Sequence, residues 1–125
     1  MNDAYAFGQE AEKRAALFYQ KQGYTIVAQN FRYRKAEIDL IVRKDNLLVA
    51  VEVKARSSIT FGSPYSFISS KKIKLLVMAM DAYIQQRQLD VEVRFDVLSL
   101  RSFAVNGNLS NSKMRFIHFN KMFYL

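Results

Sequence analysis

The sequence predicts an α/β fold in which helices pack against a mixed β-sheet. Three observations carry this. Apolar spacing switches between helical and alternating, giving the order helix, three strands, helix, two strands. Residues 37–54 read as a hairpin, two apolar runs around the polar Lys44-Asp45-Asn46. Each helical stretch carries one apolar stripe, and a sheet is the natural surface to bury it.

Residues 3–22 form the first predicted helix, capped by Asn2 or Asp3 and ended by Gly23. Ala4, Phe7, Ala11, Ala15, Phe18 and Tyr19 recur at helical spacing as its buried stripe. Gly8 inside the helix costs up to ~1 kcal/mol relative to Ala, which suggests close packing there. Glu12 borders the stripe, whereas Glu10 points outward. Residues 24–28 read as a short first strand. The following Asn30-Phe31-Arg32-Tyr33-Arg34-Lys35 interleaves basic and aromatic residues. Two readings are open: phosphate contacts with base or sugar stacking, or a solvated connection with two aromatics tucked inward.

In the hairpin, alternation places Glu37, Asp39 and Ile41 on one face and Ile38, Leu40 and Val42 on the other. On the second run Glu52, Lys54 and Arg56 share a face, opposite Val51, Val53 and Ala55. A turn centred between Asp45 and Asn46 sets Asp39 opposite Glu52, and Glu37 opposite Lys54. Opposed side chains have Cβ atoms about 5 Å apart, so two carboxylates there repel. Either a bridging divalent cation offsets that cost, or these are ordinary charges on a solvated sheet face.

Arg56 to Pro64 is a long loop holding the chain's only proline, either a flap over a site or a connection. Ser69 or Ser70 then caps a helix to about residue 88, with Ile73, Leu76, Val77, Met80 and Ile84 as its buried stripe. Lys71, Lys72 and Lys74 crowd its start, against the helix dipole, which suits either an anion site or solvated lysines. Residues 91–100 alternate as a strand in which Asp96 is expected to pair with a neighbouring base. Asn106-Gly107-Asn108 is a turn, and residues 114–119 form a last strand holding His118, read as structural. Residues 120–125 read as a tail.

At 125 residues, half of them apolar, one folded domain over 1–125 is expected. The absence of cysteine excludes disulfides, thiolate metal sites and cysteine nucleophiles, and a histidine-based site would rest on His118 alone. No apolar run reaches the ~20 residues of a membrane span, and no signal peptide is apparent, so a cytoplasmic protein without a membrane partner is expected. The net charge of +8 favours a polyanionic partner, nucleic acid first.

Glu37-Ile38-Asp39-Leu40-Ile41 followed by Val51-Glu52-Val53-Lys54-Ala55-Arg56 resembles the YraN family of bacterial proteins and, more distantly, the PD-(D/E)xK nuclease superfamily with its Holliday-junction resolvases. Supporting matches are Gly8 to Glu12, Gly23-Tyr24, Asn30-Phe31-Arg32, Phe61-Gly62-Ser63-Pro64, Lys72 and Arg94-Phe95-Asp96-Val97. Ala11 replaces a second glycine, Ala36 stands where many members have glycine, and no proline precedes Asp39.

The resemblance implies a restriction-endonuclease-like mixed β-sheet flanked by α-helices. It implies Asp39 and Glu52 as metal ligands, Lys54 as the catalytic lysine, and Glu12 as an assisting acid. The expected cofactor is Mg²⁺ or Mn²⁺, with the Val53 carbonyl as a further ligand, and the expected chemistry is phosphodiester hydrolysis. Arg32, Arg34, Lys35, Arg56, Lys71 and Lys72 are the candidate nucleic-acid contacts, with DNA, including branched DNA, as the first substrate class. A homodimer is compatible with this reading. A nucleic-acid-binding module with a residual inactive site is the alternative, and a basic protein-interaction domain the third.

Overall fold

In a computed structural model the chain follows the expected order of elements. The structure describes the backbone of residues 3–56, 69–105 and 108–124, with side chains within 8–55 and 69–100. The long loop after Arg56, the side chains of Arg56 and His118, and the Ala4 and Phe7 part of the helix stripe lie outside the described residues.

Helix α1 (Asp3–Lys21) ends at Gly23, whose φ of 92° is left-handed territory that glycine enters without a Cβ penalty. Gly23 N donates to Gln20 O and Tyr24 N to Tyr19 O, which satisfies the last carbonyls in a Schellman arrangement. Gly8 is not closely packed: a Cβ there would meet nothing within 4 Å among the described residues.

Strands β1 (Thr25–Tyr33), β2 (Ala36–Lys44) and β3 (Leu47–Arg56) follow as an antiparallel meander. The basic-aromatic stretch after residue 29 is therefore not a connection: it continues β1 through Tyr33, and only Arg34 and Lys35 make the turn. Helix α2 (Ser70–Arg87) starts at Ser69, whose hydroxyl accepts from Lys72 N. It crosses over to β4 (Glu92–Val105), which runs parallel to β3. Strand β5 (Asn108–Tyr124) returns antiparallel along β4 and is far longer than the short strand expected, taking in most of the predicted tail. The five strands lie in the order β1-β2-β3-β4-β5. This mixed sheet with flanking helices is the restriction-endonuclease-like arrangement.

Both sheet faces are covered. Ala11, Ala15 and Tyr19 of α1 pack on Leu40, Val42, Val49, Val51, Leu98 and Leu100. Leu76, Ala79, Met80 and Tyr83 of α2 pack on Ala36, Ile38, Ile41, Leu48, Ala50 and Phe95. The buried stripe of α2 thus overlaps the expected one and extends beyond it. Leu76 and Met80 are buried as expected, and Val77 and Ile84 pack half-buried against the same core while lining an outer groove with Ile73 and Met78; Ala79 and Tyr83 are the core residues that the expected stripe left out. Burial of β3 between two helix layers accounts for its Val-rich run.

Under α1 lies a polar network within this apolar layer. Asp96 is 0% exposed and accepts Arg94 Nε at 2.8 Å on Oδ1. Its Oδ2 accepts a second Arg94 nitrogen at 2.8 Å and the Tyr19 hydroxyl at 2.7 Å. Arg94 also donates to the Tyr24 hydroxyl. The bidentate pair neutralises the buried carboxylate, and the Tyr19 bond ties α1 to β4. Burial and Asp96 together push the Tyr19 phenol upward, so it stays a donor.

Candidate active site

The sheet opens between β2 and β3. Their ladder runs from Lys44↔Leu47 to Leu40↔Val51, as the hairpin centring requires. The next pair would be Asp39 and Glu52, and there the backbone pairing stops. Val53 N instead donates to Asp39 Oδ2 at 2.8 Å, so a carboxylate occupies the place of a strand carbonyl. β1 stays paired with β2 to Tyr33↔Ala36, and β3 stays paired with β4 to Arg56↔Arg101. The two pairs part like the arms of a fork, with Asp39 and Glu52 at its base.

Local backbone explains the opening. Ile38 packs on the α2 side while Leu40 packs on the α1 side, although strict alternation would place them on one face. The expected grouping of Ile38 with Leu40 and Val42 therefore fails at Asp39, where β2 turns over. Across from it the β1–β2 ladder passes over Asn30, whose φ of 52° is left-handed. Asparagine tolerates that region better than most residues, and such outliers concentrate at functional sites.

The fork admits side chains from both helix layers. Glu52 is 5% exposed. Lys54 Nζ lies 3.4 Å from Glu52 Oε1, and Lys72 Nζ of α2 lies 3.8 Å from Oε2. Among the described residues Glu52 Oε2 nevertheless has no hydrogen-bond partner although it is buried, a costly state for a carboxylate oxygen. Burial and, next, the Asp39 charge push Glu52 up to about 7, against the pull of Lys72 and Lys54. Burial also pushes Asp39 up, opposed by the Val53 amide and Lys72.

From the α1 side Glu12 reaches the same place. Burial raises it, with Asp39 and Glu37 adding to the effect. Asn30 sits between Glu12 and Glu37. In the amide orientation that satisfies both, its nitrogen donates to Glu12 Oε1 at 3.0 Å and Glu37 Oε1 at 3.2 Å. Glu37 is not held opposite Lys54, as the extended register would have it: the ladder has ended, and Glu37 pairs with Arg32 at 3.2 Å.

The structure thus brings Glu12, Asp39, Glu52, Val53, Lys54 and Lys72 together. Lys71 is exposed at the start of α2 beside Lys72. Arg34, 5.2 Å over the Tyr33 ring, and Lys35 sit at the tip of the β1–β2 arm, away from the carboxylates along the strand. Arg32 is engaged by Glu37 yet 76% exposed. Sequence reasoning missed Asn30 as a site residue. Its one local signal was an Asn facing Asp39 across a hairpin, in a residue type that accepts positive φ.

Glu52 yields a stability prediction for the metal-free chain. Its folded pKa is raised, so its protonated form is favoured by folding: stability is full below about 4.5 and falls as pH rises through about 7. Glu52→Gln removes this loss. In thermal melts with chelator, the variant is expected to melt above the parent at pH 8 and level with it at pH 4.5. A parent as stable as the variant at pH 8 would show that the carboxylate is not strained.

Among the described residues no three His, Cys, Asp or Glu side chains are grouped so as to hold a metal ion. Two carboxylates still fit a hard cation that keeps several waters. The orphaned Glu52 oxygen, beside a second raised carboxylate, is the donor set such an ion satisfies.

A family model described as "Uncharacterised protein family UPF0102" matches residues 11–100, which span this whole site. The chain is 42% identical over 118 residues to a UPF0102 protein of Flavobacterium psychrophilum, covering 94% of this chain and 97% of the relative. It is 40% identical to one of Flavobacterium johnsoniae, over 90% and 94% of the two chains. A Shewanella frigidimarina relative is 40% identical over 79% and 92%.

Proposed function

Since the chain belongs to the UPF0102 family, within the PD-(D/E)xK nuclease-like superfamily, we propose that it is a metal-dependent nuclease that hydrolyses phosphodiester bonds in nucleic acid, DNA first. The observation that carries this is the pairing of a half-buried Asp39 with a buried Glu52 that keeps one oxygen without a hydrogen bond among the described residues, flanked by Lys54 and Lys72. A solvated sheet face does not account for a carboxylate this buried, and the two lysines leave one of its oxygens without a hydrogen bond.

Asp39, Glu52 and the backbone carbonyl of Val53 would hold Mg²⁺ or Mn²⁺. When bound, the ion polarises a phosphoryl oxygen and lowers the pKa of a bound water. The chain's own residues do the rest. The Val53 amide fixes the Asp39 carboxylate in place. Lys54 lies against Glu52 and supplies positive charge where negative charge develops on the phosphate. Lys72 reaches in from α2 and anchors the scissile or adjacent phosphate, while Lys71, Lys35, Arg34, Arg32 and Arg56 serve flanking ones. Glu12, held by Asn30 and raised by burial, is suited to hold or pass a proton beside Asp39.

One observation favours a second reading, a nucleic-acid-binding module with an inactive site: the absence, among the described residues, of a third acidic or histidine side chain grouped for metal binding. A panel of duplex, flap, junction and single-stranded DNA, with Mg²⁺, Mn²⁺ or chelator, separates the two. The nuclease cuts at least one substrate with metal and none with chelator; the module binds and cuts nothing.

Binding has its own prediction. With a net charge of +8, affinity for DNA is expected to fall steeply with salt. Replacing Lys71 and Lys72 by alanine should flatten the log–log slope by about 0.9 for each phosphate that is no longer neutralised. Fluorescence anisotropy at several salt concentrations reads this. An unchanged slope would remove the start of α2 from the interface.

A further inference from the structure

A groove of about 560 Å³ runs between α1 and β1 and meets the carboxylate cluster at Glu12 and Asn30. Ala16, Leu17 and Ile26 give it an apolar lining, and Gln20, Gln29 and Asn30 add carboxamides. Leu17 is 53% exposed, more than any other large apolar side chain among the described residues. The groove's volume falls within the range of small-molecule sites, about 300–1,000 Å³.

We propose that this groove binds an unpaired nucleobase next to the phosphate that is cleaved. The proposal rests on the nuclease reading and narrows its substrate class. Charge argues for a base and against a phosphate: among the described residues Lys13 is the one cation of the lining, and the Glu12 carboxylate stands at the inner end. Phosphate tracks are lined by several basic groups, and here those lie elsewhere, at Lys54, Lys71 and Lys72. The chemistry fits a base. Leu17 and Ile26 offer an apolar surface to a ring face, and carboxamides offer both donors and acceptors to a ring edge. Asn30 lines the groove and also holds Glu12 and Glu37, so a base there touches the residue that orders the acidic side of the site. A base stacked in intact duplex cannot enter, and an already unpaired one does so at the lowest cost. The substrate is then DNA with an unpaired nucleotide beside the scissile phosphate, such as a bulge or a flap base.

The test uses the full chain with chelator, so that binding is read without cleavage. Two duplexes of equal length are compared, one fully paired and one carrying a single unpaired 2-aminopurine. The parent is expected to bind the bulged duplex roughly tenfold more tightly and to change 2-aminopurine fluorescence, in keeping with the lower cost of flipping an unpaired base. Leu17→Glu, at an exposed position, should remove the preference and the fluorescence change while keeping fully paired duplex affinity. Gln29→Ala should weaken both partly. Equal binding of the two duplexes by the parent, no binding of either, or a preference that survives Leu17→Glu would overturn the proposal. If preference and its loss are seen but the bulged duplex stays uncut with Mg²⁺ and Mn²⁺, the groove assignment stands and the nuclease reading falls.

Discussion

Lys54→Ala is expected to lower cleavage about 10²–10³-fold, the scale on which removal of a preorganised charge-stabilising group acts. The substitution should leave the fold intact, because Lys54 lies on the same strand face as Glu52, in the open fork, while its neighbours Val53 and Ala55 pack toward α1. Most DNA affinity should remain, since one contact among several basic groups is a modest share. The comparison needs a substrate that the parent cuts. Cleavage at the parental rate by Lys54→Ala would mean that Lys54 does not act on the reacting phosphate, and the binding-module reading would take its place.

Asp96→Ala is expected to be the most destabilising single change outside the site. It leaves the Arg94 guanidinium, 11% exposed, without its bidentate partner and the Tyr19 hydroxyl without its acceptor. Breaking a buried pair from one side costs about 3–5 kcal/mol. At about 4 °C per kcal/mol for a domain of this size, Tm should fall on the order of 15 °C. Asp96→Asn, which keeps an acceptor but loses the charge, should fall less. Tyr19 and Glu12 lie on one helix, so loosening this tie should also disturb the acidic side of the site. A shift below a few degrees for Asp96→Ala would show that the network contributes little to holding α1 on the sheet.

Much of the fold was legible because its strongest signals are local. The Asp45-Asn46 turn with its Val-rich partner set the hairpin register, and Ser69 and Gly23 marked helix ends through side-chain capping and positive φ. The end of β1 and the start of β5 were read as connections for one reason. β1 and β5 are the edges of the sheet, and edge strands carry the polar residues that look like connections: Asn30, Arg32 and Arg34 in or just after one, Ser110, Asn111 and Ser112 within the other. The stripe of α2 was read rightly at Leu76 and Met80 but without Ala79 and Tyr83, because spacing alone weighs Ile73, Val77 and Ile84 above them. Packing chose the small Ala79 for close approach and Tyr83 for its ring contact with Phe31.

For the site, the charged pattern on two strands was enough to join Asp39, Glu52 and Lys54, since period-two alternation and register are sequence properties. The place where the ladder stops was not. It depends on Asn30 across the sheet, on the reversal of β2 at Asp39, and on the Val53 amide finding a side-chain acceptor. Those are tertiary facts. The approach of Lys72 to Glu52 likewise follows from where the crossover lays α2, which no spacing rule states.

The proposed chemistry stands or falls on whether Asp39 and Glu52 act together as one hard-cation site. Calorimetric titration of Mn²⁺ into the metal-free chain at pH 7, repeated in buffers of different ionisation enthalpy, reads this without a nucleic-acid substrate. A single site with net proton release is expected, because Glu52 is raised to about 7 and part of the population must lose a proton to bind the ion. Glu52→Gln and Asp39→Asn are each expected to abolish the site while remaining folded. Binding that is absent in the parent, or that persists unchanged in Glu52→Gln, would contradict a shared cation site.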